Sequence, residues 1–180
     1  MKKIMIAAIL MMALGLTACG QKDAPAAQQS GGTAQLANPW REITEADAGK
    51  LCPRLFRVPD GAQNARWSAM GSAADPSGVP GALVQLKFDL DGGSFTARAQ
   101  RTAEETDVSG MYCEWVASTE GVLKSWGDLP CRCLGSQGES GRAELCLWYD
   151  TAAGVSYSLS VTEADLDVSD LLAVAEAMHP

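Results

Sequence analysis

Two stretches of strict alternation limit the folds open to this chain. Val84, Leu86, Phe88 and Leu90 alternate with Gln85, Lys87 and Asp89, and Phe95, Ala97 and Ala99 alternate with Thr96, Arg98 and Gln100. Period two sends successive side chains to opposite faces, so each run predicts a strand with one apolar face. Asp91-Gly92-Gly93 stands between them and supplies the positive φ that a tight hairpin turn needs. Val155, Tyr157, Leu159 and Val161 alternate with Ser156, Ser158 and Ser160. That pattern predicts a half-solvated strand, with apolar residues inward and serines in water.

Weaker signals fill in the rest. Ala65 to Ala73 predicts a strand around Trp67 and Met70. Leu129 to Leu134 predicts a short strand, and Ala143 to Tyr149 predicts another beyond a Gly135 to Gly141 loop. Tyr112 to Ser118 reads as a strand or an irregular segment after a loop at Thr106 to Gly110. Thr44 with Asp47 three residues on resembles a capping box and opens a helix from Glu45 to Cys52, which Pro53 stops. Near the end, Asp167 offers an N-cap, and Val168, Leu171, Leu172, Ala175 and Met178 recur at helical spacing. The expected fold is α+β. A single antiparallel sheet of about six strands carries a short N-terminal helix and a C-terminal amphipathic helix on one face, with the other face partly wet.

The N-terminus bears on compartment. Lys2 and Lys3 precede an apolar run from Ile4 to Leu16, too short for the roughly 20 residues a membrane-spanning helix needs. A basic start, a short apolar core and small residues before a break describe a secretory signal peptide. Leu16-Thr17-Ala18-Cys19-Gly20 resembles the lipobox of bacterial lipoproteins. The resemblance implies cleavage after Ala18 and acylation of Cys19, so that lipid chains anchor the protein to the membrane. The expected division is residues 1–18 as signal peptide, 19–38 as acylated cysteine and flexible tether, and 39–180 as one globular domain. The tether is rich in Ala, Gln, Gly and Ser with no aromatic, too polar to offset its own ordering entropy. Its root-mean-square reach is about 25 Å. The full chain carries a net charge of −8, which becomes −10 once Lys2 and Lys3 are removed. Such a surface repels nucleic acid and anionic membrane faces.

Several landmarks together resemble a known group. They are Asn38-Pro39-Trp40 after the tether, Phe56-Arg57-Val58-Pro59, Phe95-Thr96-Ala97-Arg98, Asp107-Val108-Ser109-Gly110-Met111-Tyr112 and Tyr157-Ser158-Leu159-Ser160. The chain from Asn38 to Met178 is similar to an uncharacterised domain family of Gram-positive extracytoplasmic lipoproteins, found also on some anti-sigma factors. The resemblance implies an α+β sheet, an outward-facing address at the cell membrane and a binding or sensing role. It carries over no reaction and no catalytic residues. The stretch from Cys113 to Gly141 departs from the family in its cysteines.

Five cysteines remain after Cys19: Cys52, Cys113, Cys131, Cys133 and Cys146. In an oxidising space such residues are disulfide candidates, and an odd number leaves one thiol over. A hairpin of the Leu129 and Ala143 strands puts Cys131 opposite Cys146 in one register, and Cys133 opposite it in the register shifted by two. The competing reading makes Cys131-x-Cys133 a redox dithiol. A catalytic dithiol usually has two intervening residues at a helix N-terminus, whereas here the spacing is one, in a strand. Zinc would want paired spacings of two to four residues, so no metal site or other cofactor is expected. His179, the one histidine, is expected to be an exposed end residue. Without a Gly-x-Ser-x-Gly elbow, the chain is expected not to be an enzyme. Trp67, Trp115, Trp126 and Trp148 are expected in the core. The expected partners are the membrane through the lipid, and an envelope protein or small ligand. The rival functions are a thiol–disulfide redox protein using Cys131 and Cys133, and a structural envelope protein without ligand.

Overall fold

The computed structural model describes residues 38–71, 81–136, 142–162 and 166–180. The signal segment, Cys19 and the tether lie outside those residues, as do the end of the strand expected to reach Ala73 and most of the Gly135 to Gly141 loop. In chain order the elements are β1 (Arg41–Glu42), α1 (Glu45–Leu51), β2 (Gln63–Met70), β3 (Leu83–Leu90), β4 (Gly93–Arg101), β5 (Ala117–Leu123), β6 (Leu129–Gly135), β7 (Leu145–Asp150), β8 (Val155–Thr162) and α2 (Val168–Ala177).

The class is α+β, and among the described residues the sheet has eight strands where about six were expected. Their order is β1-β2-β3-β4-β8-β7-β6-β5, and every neighbouring pair is antiparallel. The two elements hardest to read are the edges. β1 is only two residues long. β5 has the sequence ASTEGVL and buries only Leu123 fully, so it carries no alternation to read.

Local chemistry closes the elements. Leu90 pairs with Gly93, leaving Asp91 (φ 48°) and Gly92 (φ 84°) as the two turn residues. Positive φ at both is the requirement of a type I′ hairpin. Thr44 caps α1 by accepting the Asp47 backbone N–H at 3.1 Å. α2 follows Asp167 and turns Leu171 and Ala175 inward, one helical turn apart.

The sheet has two unlike faces. Two adjacent rows of cross-strand partners run across the helix-covered face. One is Ala69, Val84, Ala99, Tyr157, Trp148, Cys131 and Gly121; the other is Trp67, Leu86, Ala97, Leu159, Cys146, Cys133 and Thr119. Ala48, Cys52 and Phe56 from the α1 side, and Leu171, Ala175 and Met178 from the α2 side, complete this core. Phe56 stacks on Trp67 with ring centroids 5.7 Å apart, and Trp148 stacks on Tyr157 at 5.2 Å. Each such side chain taken out of water contributes about 1.5–3 kcal/mol before entropy is counted.

The opposite face is drier than expected. β4 sits mid-sheet and β5 at the far edge, so residues 102–116 must cross over β8, β7 and β6. That crossover covers the serines expected in solvent, and Ser156 and Ser158 are buried. Ser156 Oγ lies 2.7 Å from Thr102 Oγ1 and accepts the Thr106 N–H at 3.0 Å. Met111 and Trp115 pack on Leu134, Leu145 and Leu147. Arg98 fastens the crossover, donating from Nε to Gln85 Oε1 at 2.9 Å and from Nη1 to the Ser109 carbonyl. The same guanidinium lies 5.1 Å from the Trp40 ring centroid, within cation–π range.

Candidate functional site

Among the described residues, one group of three side chains could hold a metal ion through sulfur: Cys131, Cys133 and Cys146. Two adjacent strands supply all three. Of the two registers open to the β6–β7 hairpin, the structure has the one that places Cys133 directly opposite Cys146, with Cys131 opposite Trp148. Cys131 and Cys133 are two residues apart, so they share a face. The three Sγ atoms lie within 4.8 Å of one another, and all three residues are buried.

Gly121 and α2 complete the surroundings. Gly121 of β5 pairs with Cys131. A methyl group at position 121 would meet Cys131 Sγ at 3.0 Å and Leu172 Cδ1 at 3.1 Å. The missing side chain therefore leaves room for Leu172 of α2 beside Cys131. Trp126 locks the same end, its Nε1–H donating to the Ala175 carbonyl at 2.9 Å. Gly121 and Leu172 were not legible as site residues, because their role depends on a pairing between an edge strand and a distant helix.

The three thiols titrate as one unit. Hydrogen bonds from Cys133 and then Cys146 favour the thiolate of Cys131 and pull its pKa down. The hydrogen bond to Cys131 pushes both Cys133 and Cys146 up, because each gives its proton to that sulfur.

The remaining sequence candidates stand apart. Cys52 is buried near α1, where burial pushes its thiol pKa up to about 12. Cys113 is exposed on the crossover. All five described cysteines are thiols, with no disulfide between any two. Cys19 lies outside the described residues. His179 corrects an expectation: it is half-buried, its ring set edge-on to Trp126 at 5.2 Å, because the last turn of α2 folds back on the core. Trp67, Trp126 and Trp148 are buried as expected, whereas Trp115, on the crossover itself, is only partly buried, against Leu134, Leu145 and Leu147.

A second feature is an open cleft of about 420 Å³ between the β3–β4 turn and α2. Leu90, Phe95, Leu166 and Val174 give it an apolar floor, and Asp60, Asp91 and Asp170 stand at its walls. Its one aromatic side chain is Phe95. No helix among the described residues is long and apolar enough to cross a membrane. Compared with protein-family models, curated proteins and solved structures, the chain matches none of them.

Proposed function

We propose that this protein is a lipid-anchored extracytoplasmic lipoprotein whose α+β domain binds or senses a ligand at the cell envelope and performs no catalysis. The observation that carries the non-catalytic reading is the burial of Cys131, Cys133 and Cys146 beneath α2. A catalytic thiol has to reach its substrate, and a sealed one behaves as an inert or ligand-holding group. The cleft beside α2 supports the binding part, since apolar-floored hollows with a few polar walls are where ligands settle. The anchor and the compartment rest on the Leu16 to Gly20 motif and on the resemblance to envelope lipoproteins. The membrane, through the lipid, and an envelope protein or small ligand are the partners this reading implies.

One observation favours a redox protein instead: the lowered pKa of Cys131. Burial opposes that role, and so does geometry. Residues two apart along a strand have Cα atoms about 6.6 Å apart, near the upper limit for a relaxed disulfide.

Two measurements test the reading. Growth with an alkyne-bearing fatty acid should label the wild-type chain and not a Cys19→Ser variant; labelling of both would remove the anchor. Timed alkylation of the folded, reduced protein should modify Cys113 quickly and the other four described cysteines only after denaturation. Rapid native modification of Cys131 or Cys133 would bring the redox reading forward.

A further inference from the structure

We propose that Cys131, Cys133 and Cys146 form a three-sulfur site for a soft monovalent cation, copper(I), held beneath α2. This goes beyond the binding-module reading and does not depend on the lipid anchor.

The geometry is that of a nearly closed trigonal site. The three Sγ atoms lie within 4.8 Å of one another, and each is fixed by a paired strand rather than by a loop. Metal–thiolate bonds of about 2.3 Å set the sulfurs of a trigonal site about 4 Å apart. Side-chain movements of under about an ångström would therefore close it around an ion.

The identity of the ion follows from what the site lacks and what encloses it. No histidine or carboxylate joins the three sulfurs among the described residues. Leu172 and the bare backbone of Gly121 occupy the space beside Cys131. Structural zinc is almost always four-coordinate, whereas copper(I) is satisfied by three soft sulfurs, and thiolate ligands select it. Oxygen-preferring cations find no carboxylate in the group among the described residues. Trp148, the strand partner of Cys131, carries a buried Nε1–H with no acceptor. Binding moves no electrons: each thiol that ligates releases its proton to solvent, and the ion enters already reduced.

The test uses the full chain, extracted in detergent, kept reduced and titrated with copper(I) against a competing chelator. The expected result is one copper per chain, a thiolate-to-copper absorption in the near ultraviolet, and quenching of tryptophan fluorescence through Trp148. In the same wild-type sample copper should shield Cys131, Cys133 and Cys146 from alkylation, read after brief denaturation, while Cys113 stays reactive. This arm needs no variant to fold. Cys146→Ser should weaken binding by more than the roughly 10–100-fold that loss of a mere supporting partner costs, and Cys52→Ser should leave it unchanged. Copper held equally by Cys146→Ser, copper mapped to Cys113, or zinc outcompeting copper would each overturn the site. A Cys133–Cys146 disulfide in protein isolated directly from its cells would do the same. Failure to bind copper with the buried thiols still inert would overturn this site and leave the non-catalytic reading standing. A fast native thiol would count against that reading instead.

Discussion

Cys133 and Cys146 are direct cross-strand partners, while Cys131, two residues along β6, pairs with Trp148. Directly opposed residues have Cα atoms about 4.5–5.5 Å apart, well inside the range of a relaxed disulfide. The same register thus dictates what an oxidant would do. A small-molecule disulfide added to the unfolded-then-refolded chain should yield a Cys133–Cys146 bridge. Peptide mapping that recovered a Cys131–Cys133 loop would show the register to be wrong.

Gly121 owes its place to the neighbouring β5–β6 register, which pairs it with Cys131. A valine there would press into Cys131 Sγ and Leu172 Cδ1, which a bare Cβ already meets at 3.0 and 3.1 Å. Overpacking of this kind costs about 1–3 kcal/mol, measurable as a lower denaturation midpoint. Leu172→Ala should recover part of the loss in the double variant. Simple additivity of the two changes would mean they do not share the space.

Arg98 should be the main fastening of the crossover. Arg98→Met would leave Gln85 Oε1 and the Ser109 carbonyl without their donor, at about 1–3 kcal/mol for each acceptor left buried and unpaired, while Gln85 Nε2 keeps its bond to Ser68 Oγ. Hydrogen exchange should quicken at Val108 to Met111 ahead of the strands. Uniform loss of protection across the sheet would contradict a local role.

Two ion pairs should separate cleanly by burial. Asp150 is 2 % exposed with Arg54 Nη1 at 2.8 Å, whereas Lys50 and Asp47 are both largely exposed. Arg54→Met takes the charge partner from a buried carboxylate that keeps only the Ala152 and Ala153 N–H donors, and because Arg54 is itself partly exposed the loss is about 1–3 kcal/mol. Lys50→Met should leave the denaturation midpoint nearly unchanged, because water screens an exposed pair. Equal effects in chemical denaturation would refute the distinction.

Glu176 should give the fold part of its acid sensitivity. Its partial burial opposes ionisation, but hydrogen bonds from the Ser125 hydroxyl, the Ser125 N–H and the Lys124 N–H outweigh that and hold its pKa below the usual value. A carboxyl depressed in the folded state stabilises above its unfolded pKa of about 4.3. That stability is lost as pH falls through the lower folded value. Glu176→Gln should therefore lower stability at neutral pH and flatten the acid limb of the stability profile. An acid limb of unchanged slope would remove Glu176 from the account.

The helices, the β3–β4 hairpin and the β8 strand were legible because each is specified by its neighbours in sequence. Thr44 and Asp47 are three residues apart, Asp91 and Gly92 adjacent, and the β8 alternation lies within one run of residues. β5 was not legible because an edge strand need bury little, and its one fully buried side chain, Leu123, makes no period. The serines of β8 misled for a related reason. Their alternation correctly gave the two faces, but what covers the second face is a connection whose path depends on β5 lying at the far edge.

The cysteine cluster divides in the same way. Side-chain direction along a strand has period two, so local spacing alone puts Cys131 and Cys133 on one face and lets a β6–β7 hairpin bring Cys146 to one of them. Which register holds, that all three sulfurs meet, and that Leu172 fills the space beside Gly121 and Cys131 are tertiary outcomes. Those outcomes depend on sheet order and helix docking. Both are set by the burial of apolar surface far apart in the chain, which no local pattern records.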